Sequence, residues 1–228
     1  MSSAPGRIVG MNGKVDLKRE RDGYRARVGE FRLLDIPPQG YLAIDGAGDP
    51  NTVAFAELTS ALYPLAYAVK FASRRELGRD FVVMPLEGLW WADDMAAFTA
   101  RRDKTRWSWT LLIAQPDWVD AALVDAALRA VEAKGAPARL ADIRLETIEE
   151  GRCVQTLHVG PFDDEAAVLA TMHDEVIPGH GLRMTGRHHE IYLSDARRTP
   201  PERLRTILRQ PVAPQVPSSA TGRQSAMT

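Results

Sequence analysis

The chain has 228 residues, 45% hydrophobic and 26% charged, with a formal net charge of −1. That balance suits one large globular domain or two fused small ones, and it offers no basic footprint for direct nucleic-acid binding. The single cysteine, Cys153, excludes an intramolecular disulfide and a cysteine–zinc cluster; no apolar run reaches a membrane-spanning ~18 residues and residues 1–13 hold no leader-like apolar core, so the expected setting is the cytoplasm.

In chain order, small residues and glycines make the N-terminus a loose segment, and the alternating charges of residues 14–29 suggest a short surface helix. Residues 31–36 read as a strand stopped by Pro37 and Pro38. Residues 41–45 read as a second, ended by the turn residues Gly46 to Pro50. Asn51 or Thr52 then caps a helix to about Phe71, with Phe55, Leu58, Leu62, Leu65 and Val69 on one stripe and a kink expected at Pro64. Residues 81–91 form an apolar, β-rich stretch interrupted by Pro85, and residues 106–115 another strand. A helix is predicted over 117–134, with Gly135 just past its end. Residues 143–148 and 152–159 look like a hairpin around Glu150-Gly151, and Asp163 or Asp164 caps a third helix through Ile177. Strands near 182–185 and 188–194 follow, then a short helix over 201–208. The proline- and serine-rich residues 213–228 read as a disordered tail.

The order of elements repeats. Strand 41–45, Gly46, an acidic cap, a helix and a strand holding Glu87 are echoed by strand 152–159, Gly160, an acidic cap, a helix and a strand holding Glu190. Two such units would join their sheets and leave a cleft between them.

Two segments stand out chemically. In Pro85-Leu86-Glu87-Gly88-Leu89-Trp90-Trp91 a carboxylate sits mid-strand among apolar residues, and Trp107 and Trp109 follow on the next strand. Alternation puts Glu87, Leu89 and Trp91 on one face. Aromatic rings beside a carboxylate suit a planar or cationic ligand, against the plainer reading of tryptophans as large core residues. In His188-His189-Glu190-Ile191-Tyr192 the alternation groups His188, Glu190 and Tyr192 opposite Ile191. The plain alternative is a solvated sheet face; the matching place of Glu87 in the first half favours a shared pocket. No metal site is expected, because adjacent His188 and His189 point to opposite faces and no His-Glu-x-x-His occurs. Cys153 reads as a small core residue, and no Gly-x-Ser-x-Gly elbow is present.

The segments 41–46, 67–71, 85–91, 158–162, 188–195 and 206–212 together resemble the GyrI-like small-molecule-binding family, and within it the free-standing branch described as cyclopropanoid hydrolases. The resemblance covers about 16–212, leaving 1–15 as a flexible N-terminus and halves at about 31–140 and 141–212. It implies an α+β fold: tandem strand–helix–strand–strand modules forming antiparallel sheets, helices on one side and a central ligand cleft. It implies planar, often cationic, ligands and no cofactor. In the hydrolase branch it implies water addition that opens a strained cyclopropane. On that reading Trp90 or Trp91, Trp107 and Trp109 form the wall and His188 joins the ligand site. Glu190 activates water, Glu87 is a second carboxylate, and Tyr192 or Tyr67 donates to developing negative charge. Two carboxylates in one cleft would push one pKa upward. Three functions use the same residues: a hydrolase of reactive planar xenobiotics, a non-catalytic drug-sequestering or ligand-sensing protein, and a protein-interaction module such as a gyrase inhibitor.

Overall fold

The computed structural model describes residues 13–93 and 103–215; residues 216–228 of the expected tail and most of the flexible N-terminus fall outside them, while Ala213 and Pro214, expected in the tail, are paired to the short strand Leu182–Met184 as the end of the last strand. Nine strands are described: β1 (Arg32–Ile36), β2 (Gln39–Ala47), β3 (Glu87–Trp91), β4 (Ser108–Ala114), β5 (Arg144–Ile148), β6 (Gly151–Val159), β7 (Leu182–Met184), β8 (His188–Tyr192) and β9 (Arg205–Pro214). The helices are α1 (Leu17–Glu20), α2 (Val53–Leu77), α3 (Ala121–Glu132) and α4 (Glu165–Ala170). The last continues through a π-helical turn, Thr171–Val176, into Ile177–Gly179.

Strand order is β1-β6-β9-β8-β3-β4-β2-β5, with β7 against β9, and every named pairing is antiparallel. The order exposes the repeat. Module one (β2-α2-β3-β4) and module two (β6-α4-β8-β9) each place their last strand between the other two, and they meet where β3 pairs with β8. The leading strands are exchanged: β1 precedes module one but pairs with β6 of module two, while β5 precedes module two but pairs with β2 of module one.

That exchange curls the sheet. Six inter-strand steps separate β1 from β2 in the sheet, about 29 Å if flat. Yet only Pro37 and Pro38 connect them, a link reaching at most about 11 Å. Glu149 and Glu150 make an equally short link from β5 to β6. Tyr41 on β2 and His189 on β8 lie three strands apart, but their rings are 6.4 Å apart across the concave face.

The convex, outer face carries the helices. Thr52 is the N-cap of α2, and Gly78 closes it with φ of 66°. Its stripe Leu58, Leu62 and Leu65 packs in one core with Leu42, Ile44, Leu111 and Ile113 of the sheet. α3 lies against α2 and is capped by Asp120, whose side chain accepts from the Leu123 amide at 2.9 Å. Met172 and Ile177 pack on Val154 and Leu208 at the other end of the outer face. A smaller inner-face cluster joins Leu157, Ile191 and Ile207.

Several expectations need correcting. Residues 201–208 are not a helix: a 3-10 turn, Pro201–Arg203, leads into β9, the strand between β6 and β8. Residues 143–159 are not a hairpin, because β5 and β6 never pair with each other. The strand expected over 81–91 begins only at Glu87, after Pro85; Phe81 forms an isolated bridge with Val15. No described helix is long and apolar enough to cross a membrane.

Candidate functional site

The register at the module junction decides which side chains meet. Gly88 pairs with Glu190 and Trp90 with His188, so Glu190, His188 and Tyr192 share the outer face with Trp90. Trp90 also pairs with Trp109, placing both indoles on that face. Glu87 pairs with Ile191 and Leu89 with His189, and all four point inward. Glu87 and Glu190 therefore sit on opposite faces, and the expected pair of carboxylates facing one cleft is not formed.

On the outer face Trp90 is the hub of an aromatic cluster. Its ring centroid lies 5.7 Å from Trp109, 5.9 Å from Trp107 and 6.4 Å from Phe55, which stacks on it at 12°. Trp109 is fully buried and forms the back wall. Glycine at two positions makes the packing possible: a Cβ on Gly46 would lie 2.3 Å from Trp109 Nε1, and one on Gly88 2.7 Å from Trp90 Nε1. Phe162, 40% exposed, sets its edge on Tyr192 at 5.5 Å.

A directed chain of donors ends on Glu190. Trp90 Nε1 donates to the Tyr192 hydroxyl at 3.0 Å, and that hydroxyl donates to Glu190 Oε2 at 2.7 Å. The other oxygen, Oε1, lies 3.6 Å from His188 Nε2. Burial raises the Glu190 pKa to about 7, opposed by the Tyr192 hydrogen bond and by the charge of His189. Burial, the charge of Glu190 and its hydrogen bond push the Tyr192 phenol well above its ordinary value, so it stays a donor. His188 is driven down to about 3 by burial first, then by His173 and His189, and is a neutral imidazole at physiological pH. His173, on the π-helical turn, meets it edge-on at 6.2 Å. Glu165, buried on the first turn of α4, also raises Tyr192 and is the second carboxylate of this face.

The structure separates two expected ligand residues from this cluster. Trp91 points inward, where the Arg187 guanidinium covers its ring at 3.7 Å beside a cavity of about 470 Å³ lined by Leu89, Glu146, Glu150 and Arg187. Tyr67 lies on the exposed side of α2 and stacks on Phe71 at 6.5 Å.

Glu87 instead belongs to a buried ionic network on the inner face. The Tyr24 hydroxyl donates to Glu87 Oε1 at 2.6 Å. His189 lies between two carboxylates: Nδ1 is 2.9 Å from Glu150 Oε1, and Nε2 is 3.0 Å from Glu87 Oε2, the latter a close ion-pair contact without hydrogen-bond alignment. Arg209 donates from Nη1 to Glu150 at 2.7 Å, from Nε to Gln155 at 3.0 Å and from Nη2 to the Gly23 carbonyl at 2.7 Å. Burial opposes ionisation throughout, yet Glu150 and its neighbours overcome it. The Glu150 carboxyl falls to about 2 beside His189 and Arg209, and His189 rises to about 9 beside Glu150 and Glu87. Cys153, on the same face, has its thiol pushed up to about 12 by burial and then by Glu150, far from nucleophilic use. Among the described residues no group of three or more His, Cys, Asp or Glu is placed to hold a metal ion.

Sequence reasoning missed Phe55, Phe162, Glu165 and His173 on the outer face, and Tyr24, Glu150, His189 and Arg209 on the inner. His189 was visible only as a neighbour of His188; its partners come from remote segments.

A GyrI-like small-molecule-binding domain model matches residues 29–213. The chain belongs to the GyrI-like family. Its fold is similar to that of a conserved protein from Listeria innocua at 37% identity, with a TM-score of 0.80, 88% of this chain covered and 100% of that one. Two structures described as hydrolases from Listeria innocua are each 35% identical over the same shares, with TM-scores of 0.76 and 0.79. No curated protein matches the chain. Membership assigns small-molecule binding to this GyrI-like domain, and the Trp90–Glu190 cluster at the junction of its two modules is the candidate site.

Proposed function

We propose that this GyrI-like chain binds a flat, apolar small molecule against Trp90, Trp107 and Phe55. Glu190 then delivers water to a strained electrophilic carbon, so that reactive cyclopropane-bearing alkylating compounds are hydrolysed. The observation that carries this reading is the setting of Glu190. It is a carboxylate with a pKa of about 7, aimed by Tyr192 and edged by an aromatic wall. A base is most effective when its pKa lies near the working pH, and burial supplies that here. The description of 35% identical relatives as hydrolases supports the reaction class.

The step balances without an added reagent. Glu190 takes a proton from water as the water oxygen bonds to a ring carbon. The cyclopropane C–C bond breaks, its electron pair moves onto the conjugated carbonyl oxygen, and Glu190 returns the proton there. Tyr192 has already committed its one proton to Glu190, so it orients the base. The neutral ring of His188 is the donor available to the developing oxyanion.

The test is incubation with an alkylating compound whose cyclopropane is conjugated to a dienone, followed by mass spectrometry. The expected result is water adduct in many-fold excess over protein, with Glu190→Gln slower by about 10²-fold or more. Adduct limited to one equivalent, or tight binding with no product, would establish a sequestering protein instead.

A further inference from the structure

We propose that His189, from the inner face, is a positioning residue for Glu190: its imidazolium, clamped between Glu87 and Glu150, keeps the cleft carboxylate charged and in place without touching it. This rests on Glu190 being the reacting carboxylate of the proposed function.

The geometry makes His189 a cation. A neutral imidazole has one N–H and one lone pair, and the lone pair would face a carboxylate oxygen at one end or the other. Both nitrogens lie within 3.0 Å of carboxylate oxygens, so the doubly protonated ring is the form that suits both. The ring is fully buried, and its two partners are 0% and 5% exposed at the side chain, so water does not screen the charge. The same contacts hold β8 rigid where Glu190 leaves it: one imidazole ties the strand to β3 through Glu87 and to the β5–β6 link through Glu150.

Among the described residues around it, Glu190 has no comparable cation on its own face. Tyr192 and His188 flank it on β8, Trp90 faces it from β3, Glu165 from α4, and His173 stands behind His188 on the π-helical turn. Tyr192 and Trp90 are neutral donors, burial holds His188 neutral and shifts His173 the same way, and Glu165 is an acid. The positive charge next along the chain, one residue away on the opposite face of β8, is His189. It lowers the Glu190 pKa against the effect of burial.

Linkage supplies a test that needs no turnover, because two coupled groups shift each other equally. Across roughly 10 Å at an effective dielectric of about 20, the coupling amounts to about one pH unit. In Glu190→Gln, which leaves all four buried charges untouched, the His189 midpoint followed by imidazole nitrogen NMR should fall by about one unit. In His189→Gln the Glu190 carboxyl midpoint followed by carbon NMR should rise by a similar amount, and His189→Lys should restore it. An unchanged His189 midpoint in Glu190→Gln overturns the proposal, and that variant decides the matter alone if His189→Gln does not fold. Coupling without turnover would remove the proposed reaction and leave the pairing of the two residues intact. Turnover without coupling would do the reverse.

Discussion

A missing side chain at position 88 lets Trp90 and Tyr192 meet above the sheet. A Cβ there would lie 2.7 Å from Trp90 Nε1 and 3.3 Å from the Tyr192 oxygen, crowding both atoms of their hydrogen bond. In Gly88→Ala the indole must swing away, taking the centre of the aromatic cluster with it. The expected result is at least tenfold weaker binding of a planar aromatic cation, read by tryptophan fluorescence, with a stability loss of about 1–3 kcal/mol in urea. Unchanged affinity would remove Trp90 from the binding surface. Tyr192→Phe isolates a different contribution: Glu190 loses the hydroxyl that donates to it at 2.7 Å, while the aromatic volume stays. A hydrogen bond to a charged group contributes about 1.5–3 kcal/mol, so the acid limb of the rate profile should move up by about one to two pH units. An unmoved limb would mean that Tyr192 does not tune the base.

At the scale of elements, the inner network ties the segment around Gly23 to Arg25 onto the sheet. Arg209 reaches the Gly23 carbonyl, Gln155 reaches the Arg25 carbonyl, and Tyr24 reaches Glu87. Arg209→Met deprives buried Glu150 of one cation and should cost about 3–5 kcal/mol in urea unfolding. The exposed pair Arg197–Asp195 is the contrast, and Arg197→Ala should leave the urea midpoint essentially unchanged. Equal effects would mean that the buried network is no more than a surface pairing. Two elements were legible in the sequence for different reasons: α2 by its apolar stripe and exposed opposite face, and β2, buried on both faces, by the prolines before it and Gly46 at its end. β9 was not, because a strand covered on both sides has no alternation, and Leu204, Ile207 and Leu208 happen to fall at helical spacing. The two outstanding carboxylates were legible as unusual but not as separate. Their faces depend on whether Glu190 pairs with Glu87 or with Gly88, and a slip of one residue reverses a strand's faces. No pattern within one strand carries that information.

At the scale of the whole molecule, the exchanged strands curl one sheet around a charged interior and leave the helices and the aromatic cluster outside, so pH acts on two compartments. Glu150, lowered to about 2, contributes stability that is present above its unfolded value near 4.5 and lost as pH falls toward 2. His188, lowered to about 3, adds to that loss from about pH 6.5 downward. His189, raised to about 9, contributes stability that is complete below its unfolded value near 6.5 and lost as pH rises through 9. Glu190, raised to about 7, gives a further loss between about 4.5 and 7 as pH rises. Thermal midpoints should therefore trace a dome, highest at mildly acidic pH and falling on both sides. The alkaline arm from about 6.5 to 9 belongs to the interior and corresponds to roughly 3 kcal/mol. Glu190→Gln should remove the loss between about pH 4.5 and 7, so that the rise set by His188 continues to about pH 6.5, while most of that alkaline arm stays in place, since His189 keeps both of its carboxylates. An alkaline arm that disappears with Glu190 would place the titrating charge in the cleft, and the buried imidazolium would then contribute nothing to holding the curled sheet together.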